Sequence, residues 1–528
     1  MERNKQVNVI GAGLAGLSAA VTLARQGVFC RLISSQPSER AQSVLAEGGI
    51  NAALDTMGEN DSPAEHFADT MRGGCFLESE AAVRNLTDHA PEVVRQLLSL
   101  GAPLTAKNGK LILRNFGGQK KKRTAYAGTG TGKILMTALI DEARKYEAEG
   151  LIRRYPHHEL IGITAENGEL KNITVRDLYR RETRAFTGNA ILCTGGLNGF
   201  FEGNTTGTTQ NTGNAAAIAF AAGVAFANLE MIQYHPTTVG IPGKRLLVSE
   251  AARGEGGRLF ILRNGKPWYF MEEKYPALGN LMPRDVISRE MIFVKREKGC
   301  VGEVCLDLRS LDESVWRHKL RELREEIVAY QHIDPKTDPI PVRPGIHFFM
   351  GGVRVNDRHE TNVKGLFAAG EAACKYHGAN RLGGNSMLGA VYGGRVAAAS
   401  AAGTAGPSEE TLLPSAPPAP SSPERRAELR EILLSGLGIV RSAAALQKAE
   451  AALNRILAAE DLTPIDRSRT ALGLAMLQSA LAREESRGAH YREDFPAQND
   501  AFRKQTVVSC ENGELRLRFV SPDAGEVE

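Results

Sequence analysis

The stretch QVNVIGAGLAGLSAAVTLARQGVFCRLISS, residues 6–35, decides the fold class. A short apolar run, QVNVI, meets GAGLAG; an apolar-periodic segment, LSAAVTLARQG, follows, and FCRLISS returns to strand character. The order is strand, tight turn, helix, strand, which is the opening βαβ unit of a parallel sheet with helices packed on it. Gly11, Gly13 and Gly16 stand at G-x-G-x-x-G spacing at the strand-to-helix turn. The first two let backbone approach a pyrophosphate, and the helix N-terminus adds partial positive charge at the same point. The segment Gly11, Ala12, Gly13, Leu14, Ala15 and Gly16 is therefore expected to hold a dinucleotide.

An acidic residue ordinarily closes the second strand and holds ribose hydroxyls. Ser34 and Ser35 stand there instead, which weakens the case for nicotinamide and leaves room for FAD. The chain has 528 residues, 42% hydrophobic and 24% charged, long enough for two to four domains with sizeable cores. A formal charge of +4 is small for this length and gives no electrostatic footprint for nucleic acid. The seven cysteines are scattered with no C-x-x-C pair, so a disulfide framework, a metal site, an iron–sulfur cluster and a c-type haem are not expected within this chain. Reduced thiols fit a cytoplasmic enzyme. The least polar long run, AAAIAFAAGVAFAN (215–228), is too short to span a bilayer and reads as a buried helix running into a strand. The chain is expected to be soluble and not itself membrane-spanning, at most held at the inner face of a membrane through a partner.

Further along, APEVVRQLLSLG (90–101) and KILMTALIDEARKYEAEG (133–150) carry helical periodicity, and LIGITAENGELKNITVRDL (160–178) alternates as strands. NAILCTGG (189–196) is a second glycine-terminated strand returning to the first sheet, and VKGLFAAGEAA (363–373) another. Residues 231–345 mix turns with short elements and read as an insertion. The Pro-, Ser- and Ala-rich stretch 403–425 reads as a linker. Two helical segments, 427–460 and 467–486, precede a strand-like tail.

SEAARGEGG (249–257) places Glu250 and Arg253 one helical turn apart just before the helix dissolves into glycines. Alone, such a pair is most simply a surface salt bridge. It does not stand alone. AEGGI (46–50), RNFGG (114–118), RTAYAG (123–128), ILCTGG (191–196), QYHPT (233–237), MPRDVISR (282–289), IHFFMGGV (346–353), GLFAAGEAACKYHGANRLGGNS (365–386) and SRGAHYREDFP (486–496) occur around it in fixed order. This ordered set resembles the flavoprotein subunit family of fumarate reductase and succinate dehydrogenase, to which L-aspartate oxidase is related. The resemblance runs from about residue 6 to 497.

What the resemblance implies is an α/β protein: a Rossmann-like FAD-binding domain (1–230 and 346–402), an inserted α+β capping domain (231–345), the linker (403–425) and a C-terminal helical domain with its tail (426–528). It also implies hydride transfer between flavin N5 and the carbon–carbon bond of a dicarboxylate. Reduction of fumarate needs a grip on each carboxylate and a proton donor opposite the hydride. By resemblance, Arg381 and His347 grip one carboxylate, and His235 and Ser249 the other. Arg284 stands at the proton donor's place, and Glu250 and Arg253 resemble the relay that returns its proton. Arginine is a poor acid, with a pKa above about 12, and serves only among other charges that reprotonate it. Flavin contacts follow in the same way: Gly11, Gly13 and Gly16 at the pyrophosphate; Ser35 at the adenosine; Ser43, Glu47, Gly48, Gly49, Thr194, Gly195 and Gly196 along the flavin; Glu371 at ribose or ribityl hydroxyls; Ser386, Met387 and Arg381 by the isoalloxazine. Asn214 takes the place of an aspartate in TGNA.

One departure matters. Where relatives carry a flavin-linking histidine, this chain has Gln42 in RAQS (40–43), and an amide has no nucleophilic nitrogen. Non-covalent FAD is expected, and with it fumarate reduction over succinate oxidation. Electrons must come from a separate iron–sulfur subunit or carrier; the basic run QKKKR (119–123) is a candidate dock for an acidic carrier, and more simply a solvated loop. The rival readings are L-aspartate oxidase, reduction of another unsaturated carboxylate, and a flavin-binding subunit inert alone.

Overall fold

A computed structural model describes residues 5–128, 130–414, 418–511 and 513–524. Its centre is a five-stranded, wholly parallel sheet in the order Leu366–Ala368, Asn189–Leu192, Gln6–Ile10, Phe29–Ser34, Ile152–Pro156. The expected βαβ opening is present, with Leu14–Arg25 as its helix, and NAILCTGG does return beside the first strand. Parallel strands covered on both faces need near-continuous apolar sequence. Val7, Val9, Leu32, Ile33 and Ile191 are accordingly 0–1% exposed. The helices Leu14–Arg25, Thr131–Ala148 and Asn385–Gly403 form one layer against this sheet; Ala20, Leu139 and Val391 share its core.

An antiparallel sheet (Glu410–Leu413, Thr183–Thr187, Glu169–Asp177, His158–Glu166) extends this half. The strand Glu410–Leu413 lies inside the stretch read as a linker. That stretch is bound to the fold rather than free, because Ser408 is 8% exposed and accepts from the buried Arg31 guanidinium at 2.8 Å. Residues 415–417 of it lie outside the described residues. The helix expected from residue 90 begins earlier, at Glu80, and runs through Pro91 to Ser99. Ser79 caps it by accepting from the Ala82 amide.

Residues 239–342 carry their own core, in which Phe270, Ile287, Leu306 and Ile327 are all 0% exposed. A four-stranded antiparallel sheet (Lys266–Trp268, Arg258–Arg263, Cys300–Asp307, Ile340–Pro341) packs with the helix Arg284–Val294, more regular than the turn-rich sequence indicates. This part joins the rest through Ile232–Ile241, paired with Lys244–Leu247 and Arg343–Phe349.

Three helices follow, Pro423–Gly436, Ala443–Leu457 and Pro464–Ala482. Ser422, Ser442 and Thr463 cap them, each accepting from the amide three residues on. The tail is a hairpin, Gln505–Glu511 with Glu514–Val520, whose first strand pairs with Phe226–Ala227. Among the described residues no helix is long and apolar enough to cross a membrane.

The run QKKKR is a correction. Gln119 points inward, its Nε2 donating to Asn51 Oδ1 and the Gly383 carbonyl at 3.0 and 2.9 Å. Arg123 is 0% exposed, forked on Asp61 and 2.9 Å from Asp69. Lys122 pairs with Glu59. Two of the four charges are consumed by local acids, Lys121 donates to the Glu59 carbonyl, and Lys120 is exposed, so the run is not a solvated row of four cations.

Candidate functional site

The glycine turn is built by close approach. Gly11 has φ of 107°, and a Cβ there would lie 2.1 Å from the Cys193 carbonyl oxygen. A Cβ on Gly16 would lie 1.8 Å from the Gly11 carbonyl oxygen, so Gly16 is required by packing rather than by exposure to a ligand. Gly13 caps the helix Leu14–Arg25 without any side-chain hydrogen bond, and the Leu14 amide donates to Ser43 Oγ at 3.1 Å.

From this turn a cavity of about 490 Å³ runs across the molecule. Every position expected to meet the cofactor lines it except Gly16. Gln42 accepts from the Thr208 amide. Asn214 donates to Glu159 at 3.0 Å. Glu371 accepts from the Phe349 amide at 3.0 Å, and burial pushes its carboxyl up to about 7. Glu47 is pushed up to about 8, by burial first.

At its far end the cavity is lined by Arg284, His347 and Arg381. Behind them the remaining expected residues are buried: His235 at 1%, Arg253 at 2%, Glu250 at 5% and Ser249 at 7% exposed. A surface salt bridge is therefore the wrong description of SEAARGEGG. Nor is Arg253 the nearer partner of Glu250, since its Nη2 lies 4.0 Å from Oε1. Glu250 Oε2 instead accepts two hydrogen bonds from Arg284, from Nε at 2.9 Å and Nη2 at 2.7 Å, while Oε1 accepts from the Gly117 amide at 2.8 Å. Burial alone would raise the Glu250 carboxyl; the Arg284 and Arg253 charges outweigh it and hold it at about 2. Arg253 donates to the Asn280 carbonyl at 2.7 Å. Ser249 does not line the cavity; its hydroxyl bonds the Glu47 carboxyl.

The two histidines face each other with ring centroids 5.3 Å apart. Both are held well below 6.5, by burial first and then by the neighbouring arginines, so both are neutral. His347 Nδ1 is 2.8 Å from Thr206 Oγ1. His235 Nδ1 lies 3.1 Å from the Thr237 carbonyl, which can only accept, so this nitrogen carries the proton. Among the described residues, His235 Nε2 and Arg381 Nε are buried without a hydrogen-bond partner. Burial lowers Arg381 to about 9, and the Arg284 charge adds to the effect.

Sequence reading missed Gln233. It is 0% exposed, and its Oε1 accepts from both Arg284 Nη1 at 3.2 Å and Arg381 Nη2 at 3.1 Å, holding two like charges together. Its Nε2 donates to Asn380 Oδ1 and the Arg381 carbonyl, both at 2.8 Å. Strand alternation could have found it, because Gln233 and His235 sit two apart on one strand. Nothing in the sequence pattern marks Thr206.

The family described as FAD binding domain matches residues 6–387, and the one described as fumarate reductase flavoprotein C-term matches 467–525. The succinate dehydrogenase flavoprotein subunit of Bacillus subtilis is 36% identical over 93% of this chain and 91% of its own. The chain belongs to the succinate dehydrogenase/fumarate reductase flavoprotein family. Members of this family include the L-aspartate oxidase of Mesorhizobium japonicum, also 36% identical, over 95% of this chain and 94% of its own. A solved structure of an E. coli quinol fumarate reductase variant superposes with a TM-score of 0.87 at 28% identity, covering 98% of this chain and 97% of that one. As a member of the family, the protein is an FAD-dependent oxidoreductase. Its cavity fits that cofactor: glycines that admit no Cβ stand at a helix N-terminus whose capping residue, Gly13, offers no side-chain acceptor, and a volume within the range of ligand pockets extends from there.

Proposed function

We propose that the protein reduces fumarate to succinate, with Arg284 as the proton donor. The observation that carries this reading is the charge at the far end of the cavity. The guanidiniums of Arg253, Arg284 and Arg381 gather there, Glu250 is the carboxylate bound among them, Glu371 acts on Arg381 with its carboxyl at about 7, and His235 and His347 are neutral. Glu47 stays protonated there. The cluster is therefore net positive, a sign that a dicarboxylate dianion matches. L-aspartate would bring an ammonium of the same sign into that cluster.

FAD, when bound, supplies or accepts the hydride at the carbon–carbon bond. Arg381 and His347 hold one carboxylate, and His235 lies at the other with Ser249 behind it. Gln233 keeps the Arg381 and Arg284 guanidiniums at a fixed separation. Arg284 gives a proton to the substrate carbon and is reprotonated from solvent through Arg253 and Glu250, whose carboxylate, ionised at rest, takes up the incoming proton and passes it on. With Gln42 in place of a nucleophilic histidine, the FAD is bound non-covalently. Its electrons come from a separate iron–sulfur subunit or carrier. Support for such a partner is the name flavoprotein subunit carried by the Bacillus subtilis relative.

The test compares fumarate-dependent oxidation of a reduced viologen dye with L-aspartate-dependent peroxide formation under oxygen. Expected is turnover with fumarate that collapses at least a hundredfold in Arg284→Ala. Aspartate-dependent peroxide with no fumarate turnover overturns the proposal.

A further inference from the structure

The helix Arg284–Val294 starts after Pro283, which offers it no side-chain cap, and Arg284 and Asp285 are its first two residues. An acid in the first turn is most simply a partner for the helix dipole, and the Asp285 carboxyl does accept from amides of its own turn. It also reaches out of residues 239–342. Asn380, 6% exposed and adjacent to Arg381 in the loop GANRLGG (378–384), donates through Nδ2 to Asp285 Oδ1 at 2.9 Å. Asn380 Oδ1 in turn accepts from Gln233 Nε2 at 2.8 Å, and Gln233 Oε1 accepts from Arg284 Nη1 at 3.2 Å. A peptide bond joins Arg284 to Asp285, so four side chains from three separated segments close a ring.

The ring runs in one direction only. A guanidinium can donate but not accept, so Gln233 must turn its oxygen to Arg284, and the same oxygen also takes Arg381 Nη2 at 3.1 Å. The Gln233 amide nitrogen then faces Asn380, which must answer with its oxygen and present its own nitrogen to Asp285. Position 285 therefore needs an acceptor, and position 380 a side chain that accepts on one side and donates on the other. An aspartate at 380 would meet the first need and fail the second. Two guanidiniums share one oxygen, so a slip of the helix Arg284–Val294 against the loop changes their separation directly.

We propose that Asn380 and Asp285 are positioning residues that hold the Arg284 guanidinium in register with Arg381, and so set where the proton arrives relative to the gripped carboxylate. The inference rests on the reading of Arg284 as proton donor given above. Neither Asn380 nor Asp285 lines the cavity, so each acts through its neighbours. Misplacement of a reacting group by about 1 Å can cost about a hundredfold in rate, which makes a device two bonds away from the substrate consequential.

The test uses the full-length, FAD-loaded protein. Asp285→Ala should lower kcat for fumarate reduction at least tenfold while KM changes less than threefold, because Arg381 and His347 keep their grip. Asp285→Asn, which retains an acceptor oxygen, should restore most of that loss. Asn380→Asp sets two carboxylates against each other and should lose at least tenfold in kcat and at least about 2 °C in melting temperature. Combining Asn380→Asp with Asp285→Asn conserves the net charge and reverses the bond, the amide at 285 now donating to the carboxylate at 380, and should recover both. The proposal is overturned if the Asp285→Ala loss falls on KM alone, if the pair fares no better than Asn380→Asp, or if Asn380→Asp matches the parent in both readouts. A parent without fumarate turnover sinks the fumarate reading instead, and the melting-temperature comparison, which needs no substrate, still decides the ring.

Discussion

Replacing Glu250 by glutamine removes the one negative charge among three buried guanidiniums while keeping the side chain's shape. A carboxyl that titrates near 4.5 in the open chain and at about 2 in the folded protein contributes about 3 kcal/mol at neutral pH. Breaking a buried ion pair by removing one partner costs about 3–5 kcal/mol, so two independent routes agree. The sign is fixed by the direction of the shift. The folded carboxyl is the stronger acid, so its contribution is complete above about pH 4.5 and is lost as the pH falls towards 2. Glu250→Gln should therefore be destabilised by about 3 kcal/mol at pH 7, and by about 2 kcal/mol at pH 3.5. Urea denaturation followed by tryptophan fluorescence reads this directly, because both tryptophans, Trp268 and Trp316, pack in or against the core of residues 239–342, the part that carries Glu250. An equal loss at both pH values, or a loss below about 1 kcal/mol at pH 7, would refute the claim that charge, rather than shape, holds the cluster together.

Three further outcomes are expected. Arg123→Leu strands the buried Asp61, while Asp69 keeps Arg72, and should cost about 3–5 kcal/mol in thermal or urea unfolding; Lys120→Ala, a few residues away, should stay within about 0.5 kcal/mol. Gly11→Ala forces a Cβ against the Cys193 carbonyl, and the purified variant should lack the flavin absorbance of the parent. Acid or heat denaturation of the parent should release all of its yellow chromophore to the supernatant, and colour left on the pellet would contradict non-covalent attachment at Gln42.

The parallel sheet was legible because its determinants are local. A strand, three glycines and an amphipathic helix within thirty residues leave few alternatives. The far end of the cavity was legible only through ordered motifs, since Arg284, Arg381 and His347 come from three separated segments that no periodicity links. What stayed hidden depends on three-dimensional pairing. That Glu250 prefers Arg284 over its neighbour one turn away is decided by the tertiary approach of two segments thirty-four residues apart, not by spacing. That Arg123 is interior rather than part of a solvated run is decided by Asp61 and Asp69, far back in the chain. The helix Glu80–Ser99 runs through Pro91, where a local rule is overridden by the burial of Val83, Leu86 and Val94 on one helix face.

The hairpin at residues 505–520 has a consequence for synthesis. Val508 sits beside Phe226, and Thr506 with Arg483 clasps the buried Glu230, immediately before the strand that carries Gln233 and His235. The floor beneath those two side chains is completed only by chain made more than two hundred residues later. On a ribosome the strand Ile232–Ile241 must wait for that arrival, so a nascent chain stalled before residue 505 should carry every candidate site residue and still lack a finished site.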